Sequence, residues 1–201
     1  MTKRIAVLAS GRGSNFQAVI DAIGAGQIPA RCVALITDNP DAFAVERAEK
    51  AGIPAVVIDY ASFPSREVYE QALLHAMQEQ HADLFVLAGY MRILGKGIVR
   101  AFPGRMVNIH PALLPSFTGL HAQRQAVEYG VKIAGCTVHF VDEHLDCGPI
   151  ILQRSVPVLE TDDEDTLAER ILVEEHKAFP EAIRLFCEDR LNITGRRVAI
   201  R

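Results

Sequence analysis

Asn108-Ile109-His110-Pro111 closes an apolar run that starts at Met106. Side chains alternate along an extended strand, so Asn108 and His110 share one face while Ile109 points to the other. Pro111 has no N–H and cannot continue a ladder, which places His110 at the strand's carboxyl end. An amide donor and an imidazole two residues apart can together hold a developing oxyanion. The proline-flanked turn that follows, Pro111-Ala112-Leu113-Leu114-Pro115, favours a shaped site over a histidine that merely fills a core.

A second cluster lies downstream. Thr137, His139 and Val141 share a face of another predicted strand, and Asp142-Glu143-His144-Leu145-Asp146-Cys147-Gly148-Pro149 follows as a loop dense in titratable groups. Asp146 precedes a Gly-Pro turn and could simply cap it. Placed near His110, it would instead orient the imidazole and raise its pKa. Spacing leaves both readings open. His110, His121, His139, His144 and Asp146 show no HxH or HExxH spacing, so no metal site is expected.

A third candidate is the glycine loop Ser10-Gly11-Arg12-Gly13-Ser14-Asn15, which joins the first strand to the first helix. Glycines let a backbone approach a ligand closely, and free N–H groups at a helix start favour an anion. Ser14 or Asn15 is expected to cap that helix. A dinucleotide fingerprint needs a third glycine where Phe16 stands, although Asp38 lies where a ribose-binding acid would. A phosphate monoester fits the loop better.

The elements that must carry these residues alternate. Ile5–Ala9, Cys32–Thr37, Ala55–Ile58 and Leu84–Ala88 read as buried strands, with helices over 14–25, 41–51 and 65–80 between them. Three β-α-β crossovers in about ninety residues make a nucleotide-binding-like half. Further strands are expected at Met106–His110, Gly135–Val141 and Pro149–Val158, then a long helix over Thr166–Glu188 that Pro180 kinks or splits. The tail, Leu191–Ile200, has weak β character. The fold class is α/β, Rossmann-like, with a mostly parallel central sheet flanked by helices. One domain over 1–201 is expected, its half 1–100 binding phosphate and its half 101–201 carrying the chemistry.

Composition excludes other classes. With 49% hydrophobic and 23% charged residues and a net charge of −4, the chain can bury a core but has no basic stripe for nucleic acid or membrane. Lys3 and Arg4 before Ile5–Ala9 imitate a signal peptide, yet Ser10-Gly11-Arg12-Gly13 ends the apolar stretch at once. No run approaches the roughly 18 apolar residues of a membrane helix. Cys32, Cys136, Cys147 and Cys187 form no CxxC pair and read as free thiols, so a cytoplasmic protein is expected.

Taken together, Gly11–Asn15, Leu87-Ala88-Gly89-Tyr90-Met91-Arg92-Ile93-Leu94, Asn108–Pro115, Gly119-Leu120-His121, Thr137–Val141 and Leu145–Gln153 stand in an order that resembles the phosphoribosylglycinamide formyltransferase family. The resemblance runs from Arg4 to about Leu191. It implies a donor co-substrate, 10-formyltetrahydrofolate, an acceptor, 5′-phosphoribosylglycinamide, and a step of de novo purine (IMP) biosynthesis. By the same resemblance Asn108, His110 and Asp146 are the catalytic trio, and Gly13, Ser14, Asn15 and Glu175 bind the acceptor. Arg66, Met91, Arg92, Ile93 and Leu94, with Asn108, Asp142, Glu143, His144, Leu145 and Asp146, line the folate site. Two departures stand out: Leu172 occupies a position that is polar in some members, and Cys147 replaces a common glycine.

The resemblance also frames the rivals. A formyltetrahydrofolate hydrolase is expected to carry a domain before the first strand, and a methionyl-tRNA formyltransferase a basic C-terminal domain. A sugar formyltransferase would share the trio, but Gly13-Ser14-Asn15 favours a phosphorylated acceptor. Small-molecule substrates and a monomer or homodimer are expected, with no nucleic-acid partner.

Overall fold

The computed structural model describes residues 2–201 and divides into two compact units, one ending at Val107 and the other running from Asn108 to Arg201. Both are α/β, and the sheet pairing is mostly parallel.

The first unit winds β1 (Lys3–Leu8), α1 (Ser14–Gly24), β2 (Ala30–Thr37), α2 (Phe43–Lys50), β3 (Ala55–Val57), α3 (Arg66–Glu79), β4 (Leu84–Leu87) and α4 (Lys96–Ala101). Its strands pair in parallel in the order β3-β2-β1-β4. Ile5–Leu8 and Leu84–Leu87 are buried throughout, as strands covered on both faces must be. Phe16, Val19 and Ala22 give α1 its core stripe, and Tyr69, Leu73 and Met77 do the same for α3. Parallel pairing brings the carboxyl ends of β1, β2 and β4 to one edge. Asp38 follows its strand directly, and Ser10 and Tyr90 lie two and three residues beyond theirs.

The strand β5 (Met106–His110) delivers its last three residues to the second unit. There α5 (Ala122–Tyr129), β6 (Ile133–Phe140), β7 (Ile150–Pro157), α6 (Glu164–Cys187), β8 (Leu191–Thr194) and β9 (Arg197–Ile200) follow. The strand order is β5-β6-β7-β9-β8, with β6–β7 and β8–β9 antiparallel. The β6–β7 register shifts between Val138 and His139, a bulge that re-aims a side chain beside the Asn108–His110 strand end.

Of two expectations for this unit, the splitting of the long helix falls and the β character of the tail stands. Helix α6 is not split at Pro180; it runs its full 24 residues through it. One lost backbone donor is outweighed because Leu167, Ile171, Phe179 and Ile183 bury a long stripe over β6 and β7, and Asp163 and Thr166 close a capping box at the start. The weak β signal at the tail is a formed β8–β9 hairpin.

Candidate active site

In the second unit, β5 presents Asn108 and His110 to the same side as the bulge at His139. The Nε2 of His110 lies 2.8 Å from the Phe117 carbonyl oxygen. A carbonyl can only accept, so Nε2 carries the proton. Its Nδ1 faces Asp146 Oδ2 at 3.5 Å, an ion-pair distance rather than a short hydrogen bond. The same Oδ2 accepts the Gly119 N–H at 2.8 Å. The backbone of the 117–119 turn therefore holds both side chains, one through a carbonyl and one through an amide.

His139 completes the cluster. Its Nδ1 donates to the Phe140 carbonyl at 2.9 Å, which leaves Nε2 as an acceptor for the Asn108 amide at 3.2 Å. Burial pushes the His139 pKa below its ordinary value, so the ring stays neutral and keeps that lone pair. Asn108 consequently points Nδ2 at His139, with its second amide hydrogen left over for a ligand oxygen. Thr137, one alternation earlier, donates to the Ala112 carbonyl and accepts the Leu114 N–H, fixing the turn after His110.

The loop carrying Asp146 is pinned by sterics. Gly148 has no room for a side chain, since a Cβ there would run into the Phe140 carbonyl oxygen. Asp146 itself sits at φ +51, a left-handed conformation that aspartate tolerates better than most residues. Its side chain is buried, whereas His144, Leu145 and Cys147 are exposed. Cys147 is outside the left-handed region, so the side chain replacing a common glycine adds no backbone strain there. Glu175 is buried on α6, and its charge acts with burial to push the Cys136 thiol up to about 12. Neither Cys136 nor Cys32, likewise raised to about 12 by burial, is a nucleophile at neutral pH.

In the first unit the glycine loop and the 91–94 segment are each tied down by neighbours. Gly13, not Ser14 or Asn15, is the N-cap of α1, and no side chain caps that helix. The expected cap is therefore absent. The reason is Gly13 itself: at φ +67 and ψ 31 it turns the chain directly into the helix. A Cβ on Gly13 would stand 2.8 Å from Ala44 Cβ, so only glycine lets α2 pack this close.

Met91 to Leu94 is clamped at three points. Met91 N–H donates to Ser10 Oγ at 2.9 Å, Arg92 Nε to Asp38 Oδ2 at 2.7 Å, and Arg66 Nη2 to the Ile93 carbonyl at 2.9 Å. Arg92 also stacks on the Tyr60 ring, 3.5 Å from its centroid, and Arg66 pairs with Glu70. Both guanidinium groups thus brace the segment. The Met91 and Ile93 side chains, 63% and 60% exposed, make an apolar surface on it. Asp38, 6% exposed, holds Arg92 rather than standing ready for a ribose hydroxyl. Among the described residues no group of three or more His, Cys, Asp or Glu side chains is arranged to hold a metal ion.

Sequence reasoning gave no role to His139, Ser10, Asp38 or Arg66 as braces. The only signal for His139 was its shared face with Thr137. A profile described as formyl transferase matches residues 3–183. The chain belongs to the formyl transferase family.

Within this family, the phosphoribosylglycinamide formyltransferase of Escherichia coli is 44% identical, the match covering 94% of this chain and 89% of that one. The solved glycinamide ribonucleotide transformylase 1 of Symbiobacterium toebii is 54% identical with a TM-score of 0.96, over 99% of this chain and 94% of that one. The trifunctional purine biosynthetic protein adenosine-3 of Drosophila pseudoobscura pseudoobscura is 50% identical over 94% of this chain, which spans only 14% of its length.

Proposed function

We propose that the chain transfers the formyl group of 10-formyltetrahydrofolate to the amine of 5′-phosphoribosylglycinamide. The observation that carries this reading is the Asn108–His110–Asp146–His139 cluster, which offers oriented donors and a buried carboxylate at one strand end. The neutral amine attacks the formyl carbon, the carbonyl π pair becomes an oxyanion, and the C–N bond to the folate breaks as the intermediate collapses. The departing nitrogen gains a proton and the attacking nitrogen loses one. Asn108 donates its second amide hydrogen to the oxyanion. His110, backed by Asp146, donates to the same oxygen once Nε2–H has exchanged Phe117 for it. Asp146 takes part in the proton movement.

Gly13, Ser14 and Asn15 are assigned to the acceptor's phosphate, which the uncapped start of α1 supports, and Glu175 to its ribose or glycinamide. Met91, Arg92, Ile93 and Leu94 are assigned to the folate through their backbone and the apolar Met91 and Ile93 side chains, with the loop Asp142–Asp146 and Asn108. Arg66 acts by holding Ile93.

A formyl-transfer assay tests the reading: turnover is expected only when both the donor and phosphoribosylglycinamide are present. Release of formate from the donor alone, at the same rate, would make the chain a hydrolase.

A further inference from the structure

Helix α2 controls which way the anion loop faces. The Ala44 N–H donates to the Gly11 carbonyl at 3.0 Å, and Arg47 Nε donates to the Arg12 carbonyl at 2.8 Å. In a planar trans peptide the C=O of one residue and the N–H of the next point in opposite directions. Drawing these two carbonyls towards α2 therefore turns the Arg12 and Gly13 N–H groups away from it. The Gly13 carbonyl accepts from Gln17 N in the first turn of α1, which turns the Ser14 N–H outward too. Among the described residues no backbone carbonyl accepts from any of these three amides. Three successive outward N–H groups around a left-handed residue form an anion-binding concavity.

The Arg12–Gly13 peptide is the weak point of this array. Glycine accepts both signs of φ at little cost, so that peptide can flip and present its carbonyl where the N–H should be. Such a flip would put a carbonyl dipole against the anion. Among the described residues only Arg47 holds that carbonyl, and Arg47 is itself fixed, with Nη1 donating to Gln17 Oε1 at 2.9 Å and its guanidinium carbon 4.9 Å from the Phe43 ring centroid. A fork with two separate acceptors is a task for arginine that lysine cannot reproduce.

We propose that Arg47 is a positioning residue for phosphate: it locks the Arg12–Gly13 peptide in the orientation that lets the loop bind the acceptor's phosphomonoester. This rests on the reading that Gly13, Ser14 and Asn15 bind that phosphate. The test compares the wild type with Arg47→Met and Arg47→Lys in two measurements. One is stabilisation of the purified protein against heat by inorganic phosphate. The other is the pair of Michaelis constants. Arg47→Met is expected to weaken phosphate stabilisation and raise the acceptor KM about tenfold, the scale of one charge-assisted hydrogen bond. The donor KM and the kcat at saturating acceptor should stay within about twofold, a split that general loosening would not produce. Arg47→Lys, which keeps the charge, should recover only part of the loss. Wild-type phosphate affinity and acceptor KM in both variants would overturn the role of Arg47 and leave the phosphate loop standing. If phosphate fails to stabilise the wild type, the loop assignment falls, and the role of Arg47 with it.

Discussion

Asn108 Nδ2 donates to His139 Nε2 across 3.2 Å, and that bond decides which way the Asn108 amide faces. The lone pair that receives it exists because His139 Nδ1–H is already directed at the Phe140 carbonyl. Replacing His139 by Phe keeps a ring of similar shape and removes the acceptor. The amide is then free to rotate and present its oxygen to the oxyanion. We expect kcat to fall roughly 10- to 100-fold, somewhat less than the 10²–10³-fold cost of losing an oxyanion donor outright, with both KM values little changed. Steady-state kinetics decide it, and an unaltered kcat would remove His139 from the mechanism.

The same histidine makes stability depend on pH. Its folded-state pKa lies below its ordinary value of 6.5 because burial penalises the imidazolium. In the unfolded chain the ring takes up its proton near 6.5, so below that pH the unfolded state binds more protons than the folded one. Stability is therefore unaffected above pH 6.5 and declines as pH falls from there towards the folded pKa. Urea denaturation of the wild type and His139→Phe across pH 5 to 8 should show a shallower acid-side decline in the variant. Parallel curves would contradict it.

Asp146 and His110 should be separable from folding. Asp146→Asn keeps the left-handed backbone, which asparagine also adopts readily, and keeps an oxygen for the Gly119 N–H, but removes the charge facing His110. Turnover is expected to fall by about 10²–10⁴-fold, as for His110→Ala, the usual range for general acid–base help. Circular dichroism should match the wild type. Near-normal kcat in either purified variant would sink the assignment of the trio.

These residues show where the sequence was legible. That Asn108 and His110 share a face follows from the two-residue period of a strand, which is local. The buried strands and the stripes of α1 and α3 could be read for the same reason. The reach of Asp146 to His110 is not local: it depends on the loop path, set where Gly148 packs against the Phe140 carbonyl. Helices α4 and α5 escaped notice because each is short and buries only two residues, too few to show a period. The bracing by Arg66 and Arg92 was not legible either. A sequence shows a cation near a folate motif, but only the fold shows its guanidinium turned inward onto Ile93 and Asp38.

That inward turn gives a prediction about Asp38. Its carboxylate, buried at the end of β2, holds Arg92 at 2.7 Å, while Oδ1 has no hydrogen-bond partner among the described residues. Asp38→Ala removes the anchor and should loosen the Met91–Leu94 backbone. A hydrogen bond to a charged group contributes about 1.5–3 kcal/mol, so the donor KM should rise by roughly tenfold or more. Asp38→Asn retains an acceptor for Arg92 and should recover much of the loss. A rise in acceptor KM alone would mean that the 91–94 segment does not meet the folate.

Gly13 is the position where binding and folding cannot be pulled apart by a large substitution. At φ +67 any other residue is strained, and its Cβ would press on Ala44 at 2.8 Å. A bulky residue would displace α2 and with it the Ala44 and Arg47 bonds that orient the loop. Gly13→Ala is the smallest test, expected to lower stability by about 1–3 kcal/mol from backbone strain alone and to raise the acceptor KM. Adding Ala44→Gly removes the 2.8 Å contact with Cβ but neither the 3.1 Å approach to the Ala44 Cα nor the φ, so it should restore only part of the stability in urea denaturation. The acceptor KM should then improve while the donor KM stays near wild type throughout. If the donor KM rises instead, the phosphate loop has been assigned to the wrong substrate.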